Sequence, residues 1–343
     1  MNYPIKLTPV YKQIIWGGDY FKTKYNKDTP YDITAESWET ASHKNGENII
    51  QNGIHKNKTI TQLLKDDPLF LGGLIKDKTT LPVLFKLIDA CDTLSVQVHP
   101  DDGMAAAEND KGKTEMWTIL AAKEGAGVYL GLKNKMTKQE FEQSINNSTL
   151  TGFLQFVPCK EGDNFFIEAG LLHAIGKGVV IAEIQQNSDT TYRVYDWGRT
   201  DKNGNQRELH VKKAIMATNL DAAAQKAQTI TKQTGGASVT YLPCCNYFAA
   251  KKMDIKSSAT VTPQNASFHI LFCAEGSCGI EVDGNKEIIK TGQTVLVSAA
   301  AQSAVLSGMA VVYDYFITDF EKDYINELKD ITDIQNIYKL KRG

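Results

Sequence analysis

Alternation of apolar and polar residues marks the most informative strand of the chain. In residues 94–100, leucine and valine alternate with serine, glutamine and histidine, which is the period-two pattern of a half-buried β-strand. Side chains two residues apart on a strand point the same way, so Gln97 and His99 project together from one face. Pro100 cannot continue the ladder of hydrogen bonds, and we therefore expect the strand to end just past the histidine.

Other predicted strands contain charged residues among apolar neighbours. Residues 81–89 form an almost continuous apolar run, typical of a buried strand, that is interrupted by Lys86. A lysine in such a run either extends its ammonium group to solvent or serves a site. Later predicted strands carry four more such residues, which are Lys113 and Glu115 on one shared face, Glu183, and Arg193.

Length and turn signals predict two domains. The 343 residues exceed one ordinary single-core domain, and a polar run at 225–236 marks the expected boundary. Short strands separated by glycine turns dominate the second half, which favours a β-sandwich or barrel there. We therefore predict domains at 1–235 and 236–343. Helical spacing of apolar residues predicts helices at about 60–75, 101–112 and 136–156, and a surface helix at about 323–340.

Composition excludes several classes of protein. The 38 basic and 40 acidic residues nearly balance. The chain therefore lacks the excess of positive charge that is typical of proteins that bind nucleic acid or an anionic membrane. No signal peptide and no apolar run long enough to span a membrane is recognised. The six cysteines are scattered without CxxC spacing, which is typical of reduced thiols. We expect a cytoplasmic protein, either a monomer or a weak homo-oligomer, that acts on a small molecule.

The strand that carries Gln97 and His99 is a candidate half of a metal site. A rigid strand that presents a carboxamide and an imidazole side by side offers two ligands at a fixed separation. The alternative is a strand whose polar face meets solvent and carries a histidine by chance. Further along, a glycine turn at Gly170 presents a second histidine, His173.

Several segments resemble the cupin family, whose members are small β-barrels with a metal at the open end. Residues 162–173 are similar to the second cupin motif, with His173 in the ligand position and Glu168 where proline is usual. Residues 97–99 stand where the first motif has two histidines. Residues 273–308 resemble part of a second barrel whose motif has lost its histidine. The resemblance implies a mainly β fold of two cupin-type (jelly-roll) barrels, one metallated and one structural, with a small α-helical segment.

A longer resemblance is to the class I mannose-6-phosphate isomerases, and it runs from about residue 4 to 318. It is carried by four segments in order, QVHPDD at 97–102, KTEMW at 113–117, GLLHA at 170–174 and EIQQNSDTTYR at 183–193. The opening segments WGG at 16–18 and ESWE at 36–39 also fit the start of that family. The small helical segment between Glu115 and Gly162 resembles the shorter bacterial forms, so contacts made by a larger helical domain are not carried over.

The isomerase resemblance implies a site and a reaction. One Zn²⁺ per chain would be bound by the residues that match the family's ligands, which are Gln97, His99, Glu115 and His173. These N/O ligands suit zinc but would also accept Fe²⁺, Mn²⁺ or Co²⁺. The family reaction interconverts mannose 6-phosphate and fructose 6-phosphate through a cis-enediol(ate).

The chemistry of that reaction suggests roles for the remaining charged residues. A guanidinium would stabilise the charge of an enediolate, and Arg193 is the candidate. Glu183 and Lys113 are both candidates for the proton-transferring base, and the sequence does not decide between them. Lys86 either binds the phosphate or a sugar hydroxyl, or is a lysine that reaches solvent. Substrate contacts are therefore expected from Lys86, Lys113 and Arg193.

Two other functions use the same fold. A metal-dependent cupin oxygenase would use similar ligands with Fe²⁺, but it would have no need for a cluster of basic residues facing an anionic sugar. A non-catalytic sugar-binding cupin would normally lose ligands, whereas all four ligand types of the isomerase family are retained here.

Overall fold

Three antiparallel β-sheets build most of the structure, a computed structural model that describes residues 2–200, 203–223 and 226–343. The strands are, in chain order, β1 Ile5–Thr8, β2 Val10–Lys12, β3 Glu36–Thr40, β4 Ser42–His43, β5 Gly46–Glu47, β6 Ile49–Ile50, β7 Val83–Ala90, β8 Val96–Val98, β9 Glu115–Ala122, β10 Gly127–Leu132, β11 Leu154–Pro158, β12 Asn164–Ile167, β13 His173–Ile175, β14 Val179–Gln186, β15 Tyr192–Tyr195, β16 Ile230–Gln233, β17 Ala237–Tyr241, β18 Ala249–Ile255, β19 Ser258–Val261, β20 His269–Val282, β21 Asn285–Lys290, β22 Thr294–Val297 and β23 Ala304–Phe316. The prediction of a mainly β chain is confirmed.

The sheets follow a simple order. A six-stranded sheet runs β12-β9-β14-β7-β3-β2, and a five-stranded sheet runs β11-β10-β13-β8-β15. A ten-stranded sheet runs β16-β17-β18-β23-β20-β22-β1-β6, with β19 paired to β23 and β21 paired to β20. Strands β4 and β5 form a separate two-stranded pair.

The six-stranded sheet is buried on both faces. Along β7, Val83, Phe85 and Leu87 belong to a core shared with the ten-stranded sheet. Ile88, on the opposite face, belongs to a core shared with the five-stranded sheet. A strand buried on both faces needs apolar residues at successive positions, which explains the nearly continuous apolar run. Lys86 lies on the Ile88 face, between the six- and five-stranded sheets.

The two halves of the chain are joined by strand pairing as well as by packing. Strand β1 pairs with β22, with Ile5 opposite Leu296, so an N-terminal strand completes the ten-stranded sheet. The ring of Phe85 lies 5.5 Å from that of Phe272 and 4.7 Å from that of Tyr315. The boundary predicted at residue 235 remains a prediction, and Gln225 at the start of its polar run lies outside the described residues.

The helices are short. They are α1 Tyr20–Thr23, α2 Ile60–Asp66, α3 Asp102–Ala105, α4 Lys138–Asn146, α5 Val211–Ala217, α6 Asn326–Leu328 and α7 Ile334–Tyr338, with 3₁₀ turns at Gly53–His55, Ala106–Glu108 and Leu150–Phe153 and a π turn at Glu321–Ile325. No helix in the described ranges is long and apolar enough to cross a membrane.

All six cysteines are free thiols.

All four helix predictions were too long. The one at 101–112 contains only α3 and a 3₁₀ turn that ends at Glu108. Helix α2 ends at Asp66 rather than near residue 75, because Pro68 disfavours a helical conformation at the residue before it. Helix α4 ends at Asn146, Ser148 takes a left-handed φ of 58°, and the end of the predicted 136–156 helix is strand β11. The expected surface helix at 323–340 is instead two short segments separated by residues 329–333.

The C-terminal segment is also more buried than expected. Tyr324 and Leu328 are fully buried and pack in one apolar cluster with Tyr241 and Phe316 of the ten-stranded sheet. Helical spacing alone did not show this, because an amphipathic pattern does not identify the surface that a helix covers.

Replacing Phe272 with alanine tests the packing between the ten- and six-stranded sheets. We expect the free energy of unfolding to fall by about 3–5 kcal/mol, because a fully buried ring leaves a cavity. Urea denaturation measures the change. Phe153→Ala is the control, since Phe153 is 40% exposed and should lose less than about 1 kcal/mol. Equal losses in the two variants would contradict this packing.

Candidate active site

A row of polar side chains crosses the five-stranded sheet. The register places His173 of β13 opposite Gln97 of β8, and Gln97 opposite Arg193 of β15. Residues directly opposite one another on neighbouring strands project from the same face. The three side chains therefore lie side by side, and His99 follows at the end of β8.

A second polar row lies on the facing six-stranded sheet. Lys86 of β7 is opposite Glu183 of β14, and Glu183 is opposite Trp117 of β9. Glu115, two residues before Trp117, points the same way because side chains alternate along a strand. The site thus forms where the polar ends of two otherwise apolar sheet faces meet.

Three buried side chains from the two sheets form a candidate metal centre. One ligand atom from each of His99, Glu115 and His173 lies within 4.8 Å of the others. His99 Nε2 is 3.1 Å from Glu115 Oε1, and His173 Nε2 is 3.9 Å from Glu115 Oε2. All three residues are about 1% exposed. The cluster therefore brings two imidazoles and a carboxylate to one point.

Backbone carbonyls orient both imidazoles. His99 Nδ1 lies 3.0 Å from the carbonyl oxygen of Thr190, and His173 Nδ1 lies 2.8 Å from that of Leu171. A carbonyl oxygen only accepts hydrogen bonds, so each Nδ1 carries the proton and each Nε2 presents a lone pair. Both lone pairs are thus available to a metal, in the arrangement that histidine ligands commonly show.

Burial keeps the imidazoles uncharged. Burial, aided by the positive charge of Lys113, lowers the pKa of His99 to about 3, and burial also lowers the pKa of His173. Burial acts against ionisation of Glu115, but interactions led by the positive charge of Lys113 outweigh it and hold its pKa well below the usual range. Neutral imidazoles and an ionised carboxylate are the protonation states that metal ligation requires.

Gln97 completes the expected ligand set. Its amide nitrogen lies 3.4 Å from His173 Nε2, and Ser95 Oγ lies 3.3 Å from its amide oxygen. A half-turn of the terminal amide exchanges oxygen and nitrogen, so the amide oxygen can also face the cluster. The chemistry of this donor set, which is two imidazoles, a carboxylate and a carboxamide, fits a divalent cation such as Zn²⁺.

Charged residues surround the metal ligands. The Lys113 ammonium lies 2.9 Å from Glu115 Oε1. On the neighbouring strands, Lys86 Nζ lies 3.1 Å from Glu183 Oε1 and 3.9 Å from Glu36 Oε2. Burial disfavours the charged form of Lys86, but the carboxylates of Glu183 and Glu36 outweigh it and raise its pKa. Burial, together with the charge of Glu115, raises the pKa of Glu183. A carboxyl group shifted in this way is suited to proton transfer near neutral pH.

A cleft of about 290 Å³ lies beside the ligand cluster. Gln97, Lys86, Lys113, Glu183 and Arg193 all line it. The guanidinium of Arg193 donates to the carbonyl of Glu208 at 2.8 Å, and its Nε has no partner among the described residues.

A second guanidinium, that of Arg207, lines the same cleft. The buried carboxylate of Asp196 fixes it, accepting from Arg207 Nε at 2.7 Å and Nη2 at 2.5 Å. Burial, followed by the positive charge of Arg207, lowers the pKa of Arg193. The two arginines therefore give one end of the cleft a positive potential.

The structure brings the sequence-predicted residues together. Each of them is a member of the ligand cluster or lines the cleft, and the set is Lys86, Gln97, His99, Lys113, Glu115, His173, Glu183 and Arg193. Their individual roles stay predictions.

Three contributors were not assigned from the sequence. Glu36 lies 3.9 Å from Lys86, and its place in the ESWE segment, which is part of the family resemblance, was the available signal. Trp117 donates its indole N–H to Glu115 at 3.0 Å. Arg207 follows a loop with no periodic pattern, so no local signal identifies it.

Two family models match the chain. The type I phosphomannose isomerase catalytic domain matches residues 5–116, and the mannose-6-phosphate isomerase cupin domain matches residues 238–313. The prediction of a mainly β, cupin-type fold is thereby confirmed.

Curated relatives match most of the chain. The mannose-6-phosphate isomerase ManA of Bacillus subtilis is 37% identical over 275 residues, which cover 80% of this chain and 86% of the relative. The mannose-6-phosphate isomerase of Streptococcus mutans is 33% identical over 309 residues, which cover 90% of this chain and 96% of the relative.

Solved structures match over similar lengths. The crystal structure of the mannose 6-phosphate isomerase from Bacillus subtilis has a TM-score of 0.86 at 33% identity, covering 91% of this chain and 99% of that chain. A phosphomannose isomerase mutant from Salmonella typhimurium has a TM-score of 0.73 at 16% identity, covering 92% and 99%, and that likeness shows the fold alone.

Replacing His99 with alanine tests the ligand cluster. We expect zinc affinity to fall by more than about tenfold, because one of few ligands and its fixed orientation are lost. Metal content after dialysis against a zinc buffer measures the change. His55→Ala is the control, since His55 stacks on Tyr3 rather than joining the cluster. Full metal content in His99→Ala would show that the metal binds elsewhere.

Proposed function

The chain belongs to the type I mannose-6-phosphate isomerase family, and we propose that it interconverts mannose 6-phosphate and fructose 6-phosphate with one bound Zn²⁺. The observation that supports this most is the placement of the His99–Glu115–His173 cluster next to Gln97 and Lys113, which line one cleft together with the candidate base Glu183. Family membership favours an isomerase over a cupin oxygenase or a non-catalytic sugar-binding cupin.

Four residues would hold the metal in this proposal, and they are Gln97, His99, Glu115 and His173. When bound, zinc supplies Lewis-acid stabilisation of the charge that develops on the oxygens at C1 and C2 of the sugar. The carbonyls of Thr190 and Leu171 keep the two imidazoles turned toward the cluster. Glu115 supplies the negative charge that balances part of the cation.

Glu183 is the proposed carrier of the proton between C1 and C2. The same carboxylate takes a proton from C2 of the open-chain aldose and returns it to C1. Between these two steps a cis-enediolate is present, and the hydroxyl proton passes from O2 to O1. The raised pKa of Glu183 strengthens it as a base. Lys86, 3.1 Å away, holds the carboxylate in place. Since Lys86 is buried and paired, we assign it this positioning role rather than phosphate binding.

Lys113 and Arg193 are proposed to act on substrate oxygens. Lys113 lies beside Glu115, where its ammonium group can donate a proton or a hydrogen bond to the ring oxygen during ring opening. Arg193 lies opposite Gln97 on the next strand, so its guanidinium would face the same sugar. A fixed positive charge there lowers the energy of the enediolate without reorganisation of water.

Arg207 is proposed to bind the phosphate of the substrate. Two of its nitrogens are engaged by Asp196, and within the described part of the chain Nη1 and the remaining Nη2 hydrogen are left for a ligand. Guanidinium groups bind phosphate through paired hydrogen bonds. Arg207 lines the cleft together with Arg193. Two strand spacings of about 4.8 Å separate the strand of Arg193 from the strand of His173, and this distance of roughly 10 Å is comparable to the length of a hexose 6-phosphate.

Deuterium exchange tests the reaction and the base together. In D₂O, the wild-type protein should convert mannose 6-phosphate to fructose 6-phosphate and incorporate deuterium at C1 or C2, because the transferred proton exchanges on the carboxylate. Glu183→Gln should lower kcat by about 10²–10⁴-fold, with metal content unchanged. NMR spectroscopy measures both quantities. Absence of conversion by the wild type would contradict the function, and unchanged kcat in Glu183→Gln would contradict only the choice of base.

Replacing Arg207 with methionine tests the phosphate contact. We expect KM for mannose 6-phosphate to rise about tenfold or more, with little change in kcat, and Arg207→Lys to recover part of the loss. Steady-state kinetics measures the two constants separately. Arg199→Met is the matched control, because Arg199 also donates to Asp196, at 2.5 Å, but does not line the cleft. A similar rise in KM in both variants would indicate loss of structure around Asp196 instead.

A further inference from the structure

A second cleft, of about 700 Å³, lies on the ten-stranded sheet, away from the candidate active site. Its floor is formed by β17, β18, β23 and β20. The register sets Tyr241 opposite Lys251, Lys251 opposite Asp314, and Phe316 opposite His269. All five side chains line the cleft. The sequence had indicated only a structural role for this half of the chain.

His269 and Asp314 form a buried polar pair in the cleft. His269 Nδ1 lies 2.7 Å from Asp314 Oδ1, and the two residues are 7% and 3% exposed. A carboxylate oxygen accepts, so Nδ1 carries the proton, and in a neutral ring Nε2 offers a lone pair. The imidazole stacks on Phe316 with ring centroids 5.0 Å apart. The pair is therefore rigid and presents one acceptor.

Lys251 places a positive charge beside this pair. Its Nζ lies 4.8 Å from the ring centroid of Tyr241 and 5.0 Å from that of Phe316, which are cation–π distances. No hydrogen bond or ion pair of this ammonium group is found among the residues that the structure describes. Burial lowers the pKa of Lys251, although the charge of Asp314 opposes it. A half-buried ammonium without a close anion is a favourable partner for an anionic ligand.

The other carboxylates of the cleft are already engaged. Glu327 pairs with Lys232 at 2.9 Å. Asp323 accepts from the hydroxyl of Thr318 at 3.0 Å and from the backbone N–H of Asp319 at 2.9 Å. Since Asp314 is engaged by His269, the Lys251 ammonium is left for a ligand.

We propose that this cleft binds a small hydroxylated anion, with Lys251 contacting the anionic group and His269 Nε2 accepting from a hydroxyl group. Sugar phosphates and sugar acids share this chemistry, and the volume accommodates either. The site lies in the other half of the chain from the candidate metal ligands, and the proposal does not depend on the isomerase reaction.

Isothermal titration calorimetry of the metal-loaded protein tests the proposal with two probes. D-Glucitol 6-phosphate carries a phosphate, and D-gluconate carries a carboxylate. At least one probe should bind at a site whose affinity falls about tenfold or more in Lys251→Met, while turnover of mannose 6-phosphate by that variant stays unchanged. Binding of the first probe alone would identify a phosphate site, and binding of the second alone a carboxylate site.

Two further variants make the test decisive. Lys252→Met alters the next residue of β18, which points to the opposite face and lies outside the cleft lining, so it should bind the probe as the wild type does. His269→Asn retains a donor for Asp314 but removes Nε2, and should also weaken binding. Failure of both probes to bind the wild type, or equal affinities in the wild type, Lys251→Met and His269→Asn, would overturn the proposal.

Discussion

The burial of the Glu115 carboxylate is the constraint on which the site depends. An ionised carboxylate at 1% exposure costs several kcal/mol unless hydrogen bonds and opposite charges compensate it. Trp117 compensates it from the same sheet, whereas His99 approaches it from the facing sheet. The cluster therefore forms only when the two sheets pack in one register. A candidate metal centre made in this way needs no flexible loop to assemble its ligands.

The second half of the chain packs against the face of the six-stranded sheet that lies opposite the site. The six-stranded sheet, which carries Lys86, Glu115 and Glu183, has its other face buried against the ten-stranded sheet. Strand β1 extends that sheet across the expected domain boundary. Charged residues can thus alternate with apolar ones on a strand that is buried on both faces. The ten-stranded sheet also carries the cleft that contains Lys251 and His269.

Local sequence pattern predicted the parts of the site that depend on one strand. Alternation placed Gln97 and His99 on one face, and a glycine turn presented His173, because these features follow from backbone geometry alone. Pattern did not identify Arg207, whose position depends on its contact with Asp196 across a loop. The proposed roles in catalysis came from family resemblance. Burial and charge compensation involve residues on two different sheets, and such contacts produce no periodic pattern in the sequence. The prediction of a terminal surface helix at 323–340 was wrong for a related reason. The residues that bury this segment, such as Tyr241, are distant in sequence.

The most direct test of the central claim is the turnover of mannose 6-phosphate during metal removal and return. The account predicts that a chelator abolishes activity, that Zn²⁺ restores it at about one ion per chain, and that restored activity follows metal content. Full activity in protein shown to be free of metal would contradict the proposed role of the His99–Glu115–His173 cluster.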